Sequence, residues 1–60
     1  MKVITYMGWH FTLGEKEPIF GKLKIVAARD ELEEVFYVYG EELTDDICED
    51  LYNDYLYVYQ

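Results

Sequence analysis

The chain must fold without a disulfide, because Cys48 is the single cysteine among its 60 residues. A domain of this length buries only about 60% of the surface that its unfolded chain exposes. One such core rarely supplies more than roughly 3–5 kcal/mol of stability. A content of 52% hydrophobic residues excludes a disordered acidic tail. The fold must therefore rest on one small hydrophobic core, or on a partner that completes it.

Charge is divided unevenly along the chain. Residues 1–29 hold all five basic residues and two acidic ones, a sum of +3, whereas residues 30–60 hold eleven acidic residues and no base. The whole chain has a net charge of −8. Nucleic acids are bound through cationic side chains that displace counterions, and anionic membranes attract basic segments, so we expect neither as a partner. Charge asymmetry of this kind indicates a surface for binding another protein.

Alternating apolar and polar residues predict a β-sheet. Residues 2–13 alternate over an unusual length, so we expect one long strand with a bulge or bend at Gly8. A second strand is predicted over 19–28, with Leu23, Ile25 and Ala27 facing inward. Residues 29–39 have an apolar spacing that also fits a helix, but their β-branched and aromatic content favours a turn followed by a third strand. Residues 55–59 alternate again and predict a C-terminal strand.

Residues 41–54 give the clearest helical pattern, with one apolar stripe that recurs every four residues: Leu43, Ile47, Leu51 and Tyr55. Thr44 is a candidate N-cap, although the helix could instead begin near Glu41. Asn53 is a candidate terminator. The sequence therefore predicts a single small α+β domain over residues 1–60. We expect an antiparallel sheet, formed by a three-strand meander and the C-terminal strand, with one amphipathic acidic helix packed on it.

The predicted helix carries two rows of carboxylates: Glu41, Asp45 and Glu49 in one, and Glu42, Asp46, Asp50 and Asp54 in the other. Five like-charge pairs at i, i+4 cost about 0.2–0.5 kcal/mol each, or roughly 1–2.5 kcal/mol together. At a rise of about 1.5 Å per residue, the spacing is ~3 Å per charge, near the ~3.4 Å per phosphate of one DNA strand. These rows predict a surface that competes for a basic groove. The alternative is a solvated face that aids solubility.

Seven tyrosines are a second unusual feature. Tyr55, Tyr57 and Tyr59 share one face of the predicted C-terminal strand, and Tyr52 lies beside the apolar stripe of the helix. Tyrosine combines apolar area with a hydroxyl group and is enriched at interfaces. The alternative is ordinary cross-strand packing of aromatic rings. A last strand at the edge of the sheet could also pair with its copy in a second chain.

No catalytic arrangement is apparent. The chain has no serine, and nothing in the spacing supports a nucleophilic pair of Cys48 and His10. The EF-hand pattern for calcium is missing, and one cysteine with one histidine cannot form an ordinary zinc site. We therefore expect a protein that is not an enzyme and that uses no metal and no cofactor. Trp9 is expected in the core, and Cys48 is expected to be a buried thiol with a raised pKa.

These features predict a small protein-binding module, an inhibitor or adaptor that docks on a basic, nucleic-acid-binding site of another protein. The predicted partner-binding residues are Glu41, Glu42, Asp45, Asp46, Glu49, Asp50, Asp54, Tyr52, Tyr55, Tyr57 and Tyr59. In composition, the chain is similar to compact acidic proteins that viruses and mobile elements encode as nucleic-acid mimics. The alternative is a non-catalytic assembly module that forms a homodimer through β-strands. The N-terminal residues lack the features of a secretory signal, so we expect a cytoplasmic protein.

Overall fold

Four antiparallel strands follow one another along the chain and pair in sequence order. A computed structural model describes residues 2–59. The elements are β1 (Val3–Tyr6), β2 (Trp9–Leu13), β3 (Leu23–Arg29), β4 (Leu32–Val38), α1 (Asp45–Asp54) and a C-terminal 3₁₀ helix (Leu56–Tyr59). The predicted α+β class, an antiparallel sheet of four strands with one helix packed on it, is confirmed.

The long first strand of the prediction is in fact a hairpin. Met7 and Gly8 form its two-residue turn, with φ values of 50° and 83°, as in the turns that match the twist of paired strands. Tyr6 then pairs with Trp9 across the turn. The expectation of a bulge or bend at Gly8 within one strand is therefore wrong. Because the chain reverses, Ile4 and Tyr6 of β1 face the core together with Trp9 of β2.

The second strand begins at Leu23 and not at residue 19, because the preceding loop has its own hydrogen bonds. The Glu17 carboxylate accepts hydrogen bonds from the backbone N–H of Ile19 at 2.9 Å and of Phe20 at 2.7 Å. These donors are thereby unavailable to a strand ladder. The predicted third strand is confirmed as β4, which pairs with β3 along seven residue positions.

The core lies on one side of the sheet, under α1 and the C-terminal 3₁₀ helix. The prediction that Trp9 is a core residue is confirmed, and the predicted inward residues of the second strand are also buried. The buried residues are Trp9, Phe11, Leu23, Ile25, Ala27, Leu43, Cys48, Leu51, Tyr52 and Leu56. Within the described part of the chain, no helix has the length and apolar character needed to cross a membrane.

The predicted C-terminal strand is wrong, because its residues form a 3₁₀ helix. Leu56 is buried in the core, and the carbonyl oxygen of Tyr59 accepts a hydrogen bond from the Arg29 guanidinium. These contacts hold the segment against the core side of the sheet, where it does not pair with a strand. Both β1 and β4 therefore remain edge strands among the described residues. The helix ends at Asp54 with Tyr55 as its C-cap, so the expectation that Asn53 terminates it is also wrong.

Candidate protein-binding surface

Helix α1 begins where the N-cap prediction placed it. The Thr44 side chain accepts a hydrogen bond from the backbone N–H of Ile47 at 3.3 Å, and Thr44 itself is extended with φ −127°. Asp45 and Asp46 occupy the first turn, where negative charge suits the helix dipole. The alternative start near Glu41 is therefore wrong, because the chain enters the helix only after Leu43 has been buried.

Carboxylates cover the outer side of this helix. Asp45, Asp46, Glu49, Asp50 and Asp54 are all exposed, and Glu41 and Glu42 are exposed in the segment just before the helix. The buried helix residues are Cys48, Leu51 and Tyr52, so the acidic arc and the apolar arc are separated as in any surface helix. The seven predicted carboxylates therefore belong to one exposed region, which we call the acidic surface.

The shorter helix changes the repulsion that the sequence predicted. Only three like-charge pairs at i, i+4 lie within α1: Asp45 with Glu49, Asp46 with Asp50, and Asp50 with Asp54. At about 0.2–0.5 kcal/mol each, they cost roughly 0.6–1.5 kcal/mol. The last turn contains no basic residue, so Asp54 also opposes the helix dipole. The spacing of ~3 Å per charge persists, but over a ten-residue helix.

Three of the five bases make contacts with groups other than carboxylates. Lys2 donates to the Leu43 carbonyl oxygen at 2.9 Å. The Lys22 ammonium lies 5.0 Å from the centre of the Tyr39 ring, and the Arg29 guanidinium lies 5.1 Å from that of Trp9. Among residues 2–59, no lysine or arginine forms an ion pair with a carboxylate of the acidic surface. The described residues thus give these carboxylates no ion-pair partner, and the base placed beside them is Lys2, at the Leu43 carbonyl oxygen.

Tyr52 does not belong to the binding surface. Its side chain is buried in the core, and its ring packs edge-on against Tyr6 with centroids 5.5 Å apart. The prediction that Tyr52 contacts a partner is therefore wrong. In the sequence pattern, the apolar stripe runs through Ile47 and Leu51, with Tyr52 beside it. In the structure, the buried side of the helix consists of Cys48, Leu51 and Tyr52, so Tyr52 lies in the core.

Tyr59 is also a structural residue. Its hydroxyl donates to Glu34 Oε2 at 2.7 Å, and its ring lies 5.5 Å from that of Trp9. The hydrogen bond to Glu34 raises the pKa of the Tyr59 phenol, and desolvation adds to this effect. These contacts give the half-buried Tyr59 side chain a structural role, and its place in the partner-binding set stays a prediction.

Tyr55 and Tyr57 remain available to a partner. Both are more than half exposed, and they follow directly on the acidic end of α1. The Tyr55 ring lies 5.4 Å from that of Phe36, so this ring is held in place while one side of it faces solvent. The acidic surface is thus continued by two exposed aromatic rings, which can supply apolar contact area beside the charges.

The sequence pattern did not predict the exposed loop between β2 and β3. Ile19 and Phe20 are 78% and 69% exposed at the tip of the loop between β2 and β3. The hydrogen bonds from Phe20 and Ile19 lower the pKa of the Glu17 carboxyl. The apolar pair had suggested the start of a strand, and the sign of a turn was its position between Pro18 and Gly21.

Cys48 is fully buried, and its pKa is raised to about 11. Burial of the thiol is the main cause, and the negative charge of Asp45 adds to it. The prediction of a buried thiol with a raised pKa is confirmed. A thiol of this kind is a weak nucleophile at neutral pH, because little of it is ionised.

Neither a pocket nor a group of three potential metal ligands is present among residues 2–59. Comparison with protein-family models, with curated proteins and with solved structures finds no match to this chain. The charge and geometry of the acidic surface are therefore the observations that bear on function.

Proposed function

We propose that this protein is a small binding module that docks its acidic surface on a basic site of another protein and blocks or recruits that protein. The observation that carries the proposal is the set of seven exposed carboxylates, none of which is paired with a lysine or arginine among residues 2–59. A basic partner would relieve their mutual repulsion. Such complementarity mainly increases the rate and specificity of association.

The geometry supports a site that normally binds nucleic acid as the target. Five carboxylates on a ten-residue helix repeat at ~3 Å, comparable with the ~3.4 Å between phosphates of one DNA strand. Tyr55 and Tyr57 lie at the end of this row and would anchor the complex, because exposed tyrosines supply much of the binding energy in many interfaces. The proposed binding residues are thus the acidic surface together with these two tyrosines.

The test compares two variants with the same net charge. D46K/D50K reverses the middle of the helix, whereas E15K/E31K reverses two exposed carboxylates outside the acidic surface. Both variants and the unmodified chain are used to capture partners from the native cell, and captured proteins are identified at low and high salt. Capture that depends on the acidic surface should be lost in D46K/D50K and retained in E15K/E31K.

A captured protein is then purified and assayed directly. Its complex with fluorescent duplex DNA is titrated with each variant. The unmodified chain and E15K/E31K should displace the DNA with similar midpoints. D46K/D50K should displace half of the DNA only at a concentration at least about tenfold higher. Loss of one favourable charge pair at an interface costs about 1.4 kcal/mol or more, which corresponds to a tenfold loss of affinity. Equal displacement by D46K/D50K, or no displacement by the unmodified chain, would contradict the proposed function.

A further inference from the structure

The three most exposed large apolar side chains of residues 2–59 lie at one place in the fold. Ile19 and Phe20 are 78% and 69% exposed at the tip of the loop between β2 and β3, and Tyr39, just after β4, is 71% exposed. Lys22 links them, because it closely follows the tip and its ammonium lies 5.0 Å from the centre of the Tyr39 ring. Two aromatic rings and an isoleucine exposed to this extent present on the order of 400 Å² of apolar surface, a size that often marks a functional patch. We call these three residues the apolar tip.

Glu17 fixes the backbone of this loop. Its N–H donates to the Lys22 carbonyl oxygen at 2.8 Å, and its carbonyl oxygen accepts from the Gly21 N–H at 2.9 Å. Its carboxylate accepts from the N–H groups of both exposed loop residues, at 2.9 and 2.7 Å. The remaining residue of the loop tip is a proline, which has no N–H. Every N–H from residue 17 to residue 21 is thus bonded within the loop.

This pattern of hydrogen bonds suits insertion into an apolar pocket. A backbone N–H that leaves water without an acceptor costs free energy comparable to a lost hydrogen bond. The loop avoids this cost, because its donors are already bonded internally. A loop that is fixed before binding also loses little conformational entropy when it docks. The apolar tip therefore has the properties of a preformed anchor.

The apolar tip borders the acidic surface. From Tyr39 the chain passes through Gly40 directly into the first two carboxylates of that surface. Gly40 lies between two elements, since a Cβ added there would be 3.5 Å from Leu23 Cδ1 of β3 and 3.7 Å from Ile47 Cδ1 of α1. The loop leads into β3 at Leu23. The apolar tip and the beginning of the acidic surface therefore lie at the same end of the sheet.

We propose that the apolar tip inserts into a hydrophobic pocket beside the basic site that receives the acidic surface, on the same partner protein. This inference rests on the proposed function and adds a second part to that interface. One partner can contact both parts, because they adjoin. A lipid surface does not suit the tip, because the charge of −8 opposes approach to anionic headgroups. The partner is thus a nucleic-acid-binding protein with a hydrophobic pocket at the edge of its basic site.

The two parts of the interface should control different rate constants. Charge complementarity mainly speeds association, whereas most effects of well-packed contacts appear in dissociation. D46K/D50K should therefore lower the association rate constant and its dependence on salt. I19T/F20S should leave the association rate constant within about twofold of its original value. It should raise the dissociation rate constant about tenfold or more, as truncation of an aromatic anchor does.

Binding kinetics with the protein that the unmodified chain captures from the native cell test the proposal. That protein is immobilised, and the unmodified chain, D46K/D50K and I19T/F20S are passed over it at low and high salt. Both residues of I19T/F20S are largely exposed, so the variant should fold normally, which circular dichroism establishes. The same variants are mixed with phosphatidylcholine vesicles to test a lipid as the occupant.

Val35→Thr is the matched control. Val35 is 44% exposed, and it lies on the side of the sheet away from α1, because the residues before and after it contact the C-terminal segment. The variant exchanges an exposed β-branched apolar side chain for threonine, as Ile19→Thr does. It should leave both rate constants unchanged.

The outcomes separate this inference from the proposed function. If D46K/D50K loses binding while I19T/F20S dissociates as slowly as the unmodified chain, the apolar tip lies outside the interface and only this inference is overturned. If D46K/D50K binds as well as the unmodified chain, the proposed function fails, and the shared interface fails with it. Capture of no protein overturns both. Vesicle binding that I19T/F20S abolishes would show a lipid to be the occupant and would also overturn the inference.

A measurement on the chain alone tests the preformed anchor. Backbone ¹⁵N relaxation should give residues 19–21 order parameters close to those of the strands, about 0.85. Glu17→Ala removes the carboxylate that accepts from two of these N–H groups, so it should lower their order parameters. Values below about 0.6 in the unmodified chain are those of a flexible loop and would overturn the proposal.

Discussion

Replacement of Asp50 by lysine should stabilise the isolated chain, which is unusual for a surface substitution. Asp50 lies four residues after Asp46 and four before Asp54, so it takes part in two of the three like-charge pairs within α1. Each pair costs about 0.2–0.5 kcal/mol, and an opposite-charge pair gains a similar amount. Reversal of both pairs is therefore worth about 0.8–2 kcal/mol. The higher helix propensity of lysine adds a few tenths of a kcal/mol.

The gain should be visible in thermal and urea unfolding followed by circular dichroism. For a domain of this size, 1 kcal/mol corresponds to roughly 4–8 °C, so the melting temperature should rise by about 5–15 °C. The increase should be largest near 20 mM salt and should shrink strongly at 1 M, where charges are screened beyond about 3 Å. D50N removes the repulsion without adding attraction, so it should give about half of the electrostatic gain.

Glu15→Lys is the matched control for net charge. Glu15 is exposed in the loop after β2, and its reversal changes the total charge by the same amount without affecting the helix. This variant should change the free energy of unfolding by less than about 0.5 kcal/mol, as most surface substitutions do. If Glu15→Lys stabilises the chain as much as Asp50→Lys does, repulsion depends on total charge and not on the rows. If Asp50→Lys lowers stability, the reasoning about local repulsion is refuted.

Three further predictions concern the fold. Thr44→Ala should lower the free energy of unfolding in urea by about 1 kcal/mol, because it removes the N-cap of α1, and Thr44→Ser should retain most of the stability. Met7→Asn should raise this free energy by about 0.5–1 kcal/mol, because a left-handed conformation is costly for most side chains but tolerated by asparagine. Because the pKa of Cys48 is raised from 9.0 to about 11, the folded chain holds the thiol proton more tightly than the unfolded chain. This contribution to stability is complete below pH 9 and is lost towards pH 11. Iodoacetamide should accordingly modify the native thiol much more slowly at pH 8 than the thiol unfolded in urea, and equal rates would contradict its burial.

The elements with local signals were predictable from the sequence. The inward residues of β3 follow strict alternation, and the N-cap is marked by Thr44 with two acidic residues after it. The split of the first strand was not predictable in this way, because alternation continues unbroken through Met7 and Gly8. A hairpin turn at these residues places Met7 at φ 50°, a conformation that methionine rarely adopts.

The errors at the C-terminus have a different physical origin. Residues 55–59 have the alternation and aromatic content of a strand, but their conformation is determined by contacts distant in sequence. Arg29 donates to the Tyr59 carbonyl oxygen, and Glu34 accepts from the Tyr59 hydroxyl. Neither contact leaves a trace in the local pattern, because the two partners lie 30 and 25 residues earlier in the chain. The same long-range contacts give Tyr59 a structural role that the local pattern does not indicate.

The fold explains why so small a chain remains stable despite its carboxylates, and why their interactions should become stronger in an interface. On the outside of α1 the carboxylates point into water, where each pair costs only tenths of a kcal/mol. These carboxylates lie on the helix side of the sheet, while the outer face of the sheet carries Lys24 and Glu33, which have opposite charges. An interface formed on the acidic surface would exclude water and strengthen every charge interaction there. Association through that surface should therefore weaken steeply with salt. The salt dependence of a captured complex thus tests whether the acidic surface forms it.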